Sequence, residues 1–354
     1  MTSDFRGCGF YRMYQPFNHL AKNYDVKVTI NTGFWKSENE KMTDQELKAF
    51  DCIVWQKSFF DMEDIQRAKR LHIPIVVDFD DHWFLNDEHQ LRELYKKDNT
   101  SVKLHKLLLY ADYVTCTTEL LAEQIYQHNK NVIVLPNAMD MNYPGCKVER
   151  VKEEPFCFGY LGGHFHLRDV SLLTGLQAQL TKDCKNYRLR LFGFDGTSVY
   201  TRYADVLSDN NKSPNFDLYK GLPIFAYPQF YNLMDCSLVP LEANRFNRYK
   251  SELKMIEAGF FKKAVIVSNV DPYRRLINGK NCLKVESQGD WFKHCKRLIE
   301  NRNLATDLGE ALYESVQKYD IEIVNKKRYK FYQDVHKKLN INSGIRLSRV
   351  EIFN

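Results

Sequence analysis

The chain has no C-x-x-C pair, although it holds 9 cysteines in 354 residues. An odd count without that spacing argues against a disulfide framework and against a zinc knuckle. No signal-peptide pattern precedes the cysteines, so the expected setting is reducing cytosol. Also missing is any apolar run near the roughly 18 residues that a membrane span needs. Stretches such as "HKLLLYADYV" are far shorter, so any membrane contact is expected to be peripheral, at the inner membrane face. Nor is there a Ser/Gly/Pro tract or a block of like charge, and with 44% hydrophobic and 14% aromatic residues the chain is expected to be ordered almost throughout. The formal charge of +6 permits an anionic partner without requiring one.

Length alone suggests two domains of roughly 150 to 200 residues. Short Val- and Ile-rich runs, "DVKVTI", "DCIVWQ", "IPIVVDF", "DYVTCT" and "NVIVLPN", alternate with amphipathic stretches, which predicts a parallel sheet wrapped by helices. A second series follows in "FCFGYLGG", "YRLRLFGFDG", "CSLVPLE", "KAVIVSN" and "NCLKVES". Two Rossmann-like α/β halves are therefore expected, over residues 1–140 and 156–320, with an aperiodic linker at 141–155 that contains Pro144, Gly145 and Pro155. Residues 321–354 form a terminal helix and tail. Ile321, Val324, Phe331, Val335 and Leu339 share one face of that helix, which reads as a packed element or, through the basic run "NKKRYK", as a membrane-surface helix.

Four places carry candidate chemistry. In "FNRYKSELKMIEAGFFKKAVIVSN", a loop is expected to end at Ser251 as the N-cap of a helix whose buried side holds Leu253, Ile256 and Phe260. A helix start exposes unpaired N–H groups, so with Lys250 beside it the position is a seat for a diphosphate. Glu257, near the edge of the buried face, has the reach for a ribose diol; its plainer reading is a helix-surface partner of Lys254. "FGYLGGHFHLRD" puts Gly162 and Gly163 between a strand and a helix, where amides can approach a phosphate without a Cβ in the way. His164, His166 and Asp169 in the same loop fall short of a full metal ligand set, and no metal is expected. "RGCGFYRMYQP" offers a glycine-containing turn with Gly7, Gly9 and Arg12, and "VVDFDDHWF" ends a strand in Asp78, Asp80, Asp81 and His82. Carboxylates there face the ligand crevice of an α/β sheet; capping is the structural alternative, and a divalent cation on Asp78 and Asp80 the chemical one.

These stretches together resemble GT-B glycosyltransferases, above all the retaining glycosyltransferase family 4. "LVPLEANRFNRYKSELKMIEAGFFKKAVIVSNVDPYRRLINGKNCLKV" is similar to the donor-binding half, "FGYLGGHFHLRDVSLL" to its first strand and loop, and "LLLYADYVTCTTELLAEQI" and "VIVLPNAMD" to the end of the other half. The resemblance implies two Rossmann-like domains facing a cleft, the N-terminal one for the acceptor and the C-terminal one for a nucleotide-sugar. It implies that Glu257 holds the donor ribose, that Lys250 and Ser251 lie where the diphosphate binds, and that His164 and Arg168 belong to the loop of basic donor contacts. Transfer with retention is expected, without enzyme nucleophile, cofactor or metal, with charge stabilised by Lys250, Arg168 and helix amides and with Asp81 or His82 positioning the acceptor or the sugar.

Two departures stand out. The first glutamate of the family's E-x7-E motif is replaced by Tyr249, which points to an unusual donor. Gly7 also comes so early that the strand expected before it must be very short, or the natural start lies upstream. The expected acceptor is a glycan or lipid-linked glycan, ahead of DNA; the rival is a non-catalytic anion-binding protein on the same fold.

Overall fold

The computed structural model describes residues 7–30, 42–57, 62–147 and 155–343, with side chains to residue 337. The early strand weighed before Gly7 and much of the expected linker, residues 148–154, lie outside the described residues. The chain divides into two compact units. The first comprises Met1–Asp140, Tyr249–Ser251 and Tyr319–Asn354, and the second Met141–Arg248 and Glu252–Lys318.

In the first unit the Val/Ile runs form β1 (Ile53–Gln56), β2 (Ile75–Phe79), β3 (Tyr113–Cys116) and β4 (Val132–Val134). They pair in that order, all parallel. Parallel neighbours need crossovers, supplied by the helices Met62–Arg70, Thr100–Tyr110 and Glu119–Tyr126. β2 is buried along its whole length, as a central parallel strand covered on both faces must be. Its side chains join Leu104, Leu107, Leu121 and Ile125 from the helices in one core.

The run "DVKVTI" does not join this sheet. Residues 26–30 form no ladder with β1; Val26, Val28 and Ile30 line, with Ile53 and Trp55, a cavity of about 630 Å³.

The second unit contains β5 (Phe156–Leu161), β6 (Tyr187–Phe194), β7 (Phe216–Lys220), β8 (Cys236–Val239), β9 (Ala264–Ser268) and β10 (Leu283–Val285). The order is β10-β9-β8-β5-β6-β7, again all parallel. β7 was not expected: "FDLYK" has little β-branched content, and it is fixed on the sheet edge by Asp217, which takes Arg188 and, at 3.1 Å, Arg190 from β6.

The chain then returns to the first unit. Met139 exchanges backbone hydrogen bonds of 2.9 Å with Tyr319 and Ile321, and Ala138 packs with Ile321 and Val324. On the helix Ile321–Ser343 the buried stripe is Ile321, Val324 and Val335, with Asn325 and Arg328 buried beside them; Phe331 is half-buried. Among the described residues no helix is long and apolar enough to cross a membrane.

Candidate functional site

In the second unit the turn after β5 is built around its two glycines. A Cβ on Gly162 would lie 2.2 Å from the hydroxyl of Tyr160, a buried ring that packs edge-on against Tyr203, so any larger residue would have to displace that ring. The Gly162 carbonyl accepts from the Tyr200 hydroxyl at 2.6 Å, and the Gly163 carbonyl from the Tyr203 hydroxyl at 2.8 Å. In a trans peptide the N–H points opposite to the C=O. The N–H groups of Gly163 and His164 are therefore directed away from those tyrosines, and a Cβ on Gly163 would meet open space. Both tyrosines belong to the helix Ser198–Ser208, far along the chain.

The two histidines of this loop part company. His164 pairs with Asp195 at 2.6 Å and His166 with Asp169 at 2.6 Å. Among the described residues no group of three metal-binding side chains converges. Asp169 instead braces the loop after β8, accepting from the Glu242 N–H at 2.7 Å and from Asn247 at 3.1 Å. Arg168 forks onto Glu242, with Nε 3.0 and 2.9 Å from the two carboxylate oxygens. Those bonds hold the Glu242 carboxyl below its usual range, against a smaller effect of burial. An anion reaching Arg168 thus meets a guanidinium whose charge Glu242 already balances.

Glu257 lies in the helix Leu253–Phe260 and is only 1% exposed. Its Oε2 accepts from Tyr227 at 2.9 Å, Tyr231 at 2.8 Å and Lys254 at 3.3 Å. The Lys254 contact is the i,i+3 pair of the plainer reading, but in a buried setting. Burial opposes the Lys254 charge, yet Glu257 and Tyr227 outweigh it and raise its pKa. The tyrosines come from the short turn Tyr227–Leu233 and carried no sequence signal.

Ser251 is not the N-cap. That place is taken by Glu252, without a side-chain cap, because the amides of Met255 and Ile256 bond the Glu252 carbonyl at 3.1 Å. The Ser251 hydroxyl accepts from Asn137 at 2.9 Å, within the first unit.

In that first unit the expected glycine turn is helical. Gly7–Gly9 starts a helix, Phe10–Tyr14 adds a π turn, and Gln15–Asn23 continues it. Arg12 is buried and forks onto Asp78 at 2.9 and 2.6 Å; its remaining reach goes to the Leu135 carbonyl at 2.6 Å. It pins the unit's interior instead of lining a loop, because its planar fork matches a carboxylate at the end of β2. Thr115 also donates to Asp78, at 2.6 Å. Asp80 faces Lys57 at 3.0 Å. Burial alone would raise the Asp80 pKa; Lys57, the Cys8 thiol and Arg12 overcome that and hold it below the carboxylate range. Asp78 and Asp80, the pair considered for a cation, thus each have a protein cation of their own.

Asp81 and Lys250 meet at 3.7 Å. His82 is buried, and its Nδ1 accepts from the Phe84 N–H at 3.1 Å, which puts the proton of the neutral ring on Nε2. The ring is stacked between Trp83, 4.4 Å away at 8°, and Tyr249, 4.7 Å away at 25°. Tyr249 therefore fills the first unit's core against His82. Of the candidates there, Asp81, His82 and Lys250 are brought together, while Gly7 is exposed at a helix start and Gly9 and Arg12 are buried.

No family model matches the chain, and no curated relative does. Solved structures do. Sucrose-phosphate synthase from Thermosynechococcus elongatus matches with a TM-score of 0.64 at 14% identity, covering 94% of both chains. A glycosyltransferase from Rickettsia africae gives 0.63 at 11% identity over 91% of this chain and 88% of its own. Anabaena HepE in complex with UDP-glucose gives 0.64 at 13% identity over 90% and 89%. At such identities the likeness shows the fold, the two-unit GT-B type.

Proposed function

We propose that this chain is a retaining glycosyltransferase that moves a sugar from a uridine diphosphate sugar to a glycan or lipid-linked glycan in the cytoplasm. Two things together support that reading: a fold shared with a UDP-glucose-bound protein, and the carboxylate Glu257 buried in the helix after β8. Ligands of parallel α/β sheets sit beyond the carboxyl ends of the strands, where the diglycine turn and this helix begin. We assign the ribose to Glu257, whose carboxylate is held in place by Tyr227 and Tyr231, and the diphosphate to the amides of Gly163 and His164.

The remaining roles are assigned to Asp81, His82 and Lys250. Lys250 is assigned the charge that develops on the leaving diphosphate, an interaction strongest in the transition state. Asp81 or His82 is assigned to position the acceptor or the sugar. No metal is required in this scheme, since Asp78 and Asp80 spend their charge on Arg12 and Lys57.

Mass spectrometry of UDP-sugars incubated with the purified protein and EDTA is the test. Release of UDP, rising when a glycan acceptor is added, is the expected result. Activity that vanishes with EDTA and returns with manganese would move the chemistry to Asp78 and Asp80.

A further inference from the structure

One face of the first unit is neither core nor part of the machinery described above. On the helix Thr100–Tyr110 the side chains of Val102, Leu109 and Tyr110 are 52%, 57% and 41% exposed. Lys103 and Lys106 are exposed among them. At 3.6 residues per turn these five positions fall within an arc of about 120°. From Thr100 to Ala111 the sequence has no carboxylate. The neighbouring helix Glu119–Tyr126 ends in Tyr126, 52% exposed, and the turn after it carries Lys130, whose ammonium sits 4.0 Å over that ring. That turn is tied to the helix Thr100–Tyr110 and its end, with Asn129 donating to the Leu108 and Ala111 carbonyls at 2.9 and 2.8 Å and His105 meeting His128 at 3.1 Å. The patch is thus a fixed surface. Asp98 and Asp112 flank this helix in sequence, outside the five-residue arc.

We infer that this face docks on the surface of an anionic lipid bilayer, with Val102, Leu109, Tyr110 and Tyr126 entering the headgroup region and Lys103, Lys106 and Lys130 meeting lipid phosphates. Apolar and tyrosine side chains interleaved with lysines suit the boundary between headgroups and acyl chains, where both kinds are satisfied at once. A nucleic acid offers no hydrocarbon to Leu109. A two-fold contact with a second copy would set Lys103 and Lys106 against their own mates.

The basic run on the terminal helix is less suited. Asn325 and Arg328 are buried there, with Asn325 bonded to the Pro16 carbonyl at 2.8 Å, and Ile323 is the large apolar side chain exposed on its described part. The inference is independent of the transfer reaction, and its failure would leave the donor assignment untouched.

Flotation of the full chain with phosphatidylcholine vesicles, with and without phosphatidylglycerol, tests it at about 0.15 M salt. Binding is expected on the anionic vesicles alone. It should fall about ten-fold or more in Leu109→Ser/Tyr110→Ser and in Lys103→Glu/Lys106→Glu, both at exposed positions and checked by an unchanged melting temperature. Lys326→Glu/Lys327→Glu/Lys330→Glu should bind within about two-fold of the parent, because that helix is not the docking face. The inference is overturned if the parent ignores anionic vesicles, if either double variant binds like the parent, or if the terminal-helix variant carries the loss. A dimer that dissolves in Leu109→Ser/Tyr110→Ser would overturn it in favour of self-association.

Discussion

The ends of β2 and β5 occupy comparable places, each the carboxyl end of an inner parallel strand, and they are built in opposite ways. After β2 the chain spends charge inward: Asp78 takes Arg12 and Asp80 takes Lys57. After β5 it spends almost no side chain at all, and Tyr200 and Tyr203 tie back the carbonyls of two glycines so that the adjoining N–H groups face the other way. The first arrangement is electrically closed, while the second leaves backbone donors for an anion. A row of aspartates draws the eye to β2, yet it is the glycine turn to which the proposed function gives the phosphate.

The largest expected effect comes from opening the closed end. Asp78→Ala leaves Arg12 buried without its carboxylate and should cost about 3 to 5 kcal/mol of stability, read from urea unfolding. A loss near zero would mean that Arg12 finds water. Next is the glycine turn. Gly162→Ala must displace the buried Tyr160 ring and should cost about 1 to 3 kcal/mol. Gly163→Ala, facing open space, should change stability by less than about 0.5 kcal/mol while weakening UDP in calorimetry. Equal stability losses would break the distinction between the two glycines.

Glu257→Gln keeps the shape that Tyr227, Tyr231 and Lys254 surround, whereas alanine would strand a buried lysine. We expect UDP binding to weaken by about 1.5 kcal/mol, the low end for a hydrogen bond to a charged group. Unchanged affinity would remove the ribose role.

The smallest effect near neutrality is one of pH. Because the Asp80 pKa is depressed in the folded chain, its contribution is present above the unfolded value of about 3.9 and is lost as pH falls through the folded one. Urea midpoints followed below about pH 4 should therefore drop more steeply for the parent than for Asp80→Asn. Parallel curves would deny the linkage.

Much of this architecture was legible in the sequence because parallel strands buried on both faces must be runs of Val, Ile and Leu. "IPIVVDF" and "KAVIVSN" could hardly be anything else. β7 was not, since its place depends on Asp217 meeting arginines of another strand. The diglycine turn showed itself, but the tyrosines that orient it come from a distant helix. Glu257 was singled out, while Tyr227 and Tyr231, which hold it, are separated from it by 30 and 26 positions. The N-cap was misplaced by one residue because Ser251 is a better capping side chain than Glu252, and its hydroxyl is claimed by Asn137. In the sequence Arg12 stands out only as part of a glycine-containing turn, because sequence cannot show that a strand-end carboxylate lies within its fork.

The role proposed for the β5 turn is to receive the diphosphate through its backbone, without metal. Amide NMR on protein labelled with ¹⁵N-glycine and ¹⁵N-histidine, titrated with UDP in the presence of EDTA, reads the two N–H groups concerned. Saturable shifts of the Gly163 and His164 amides are expected as UDP binds. Binding of UDP that leaves both unmoved, or appears only when manganese replaces EDTA, would contradict that role.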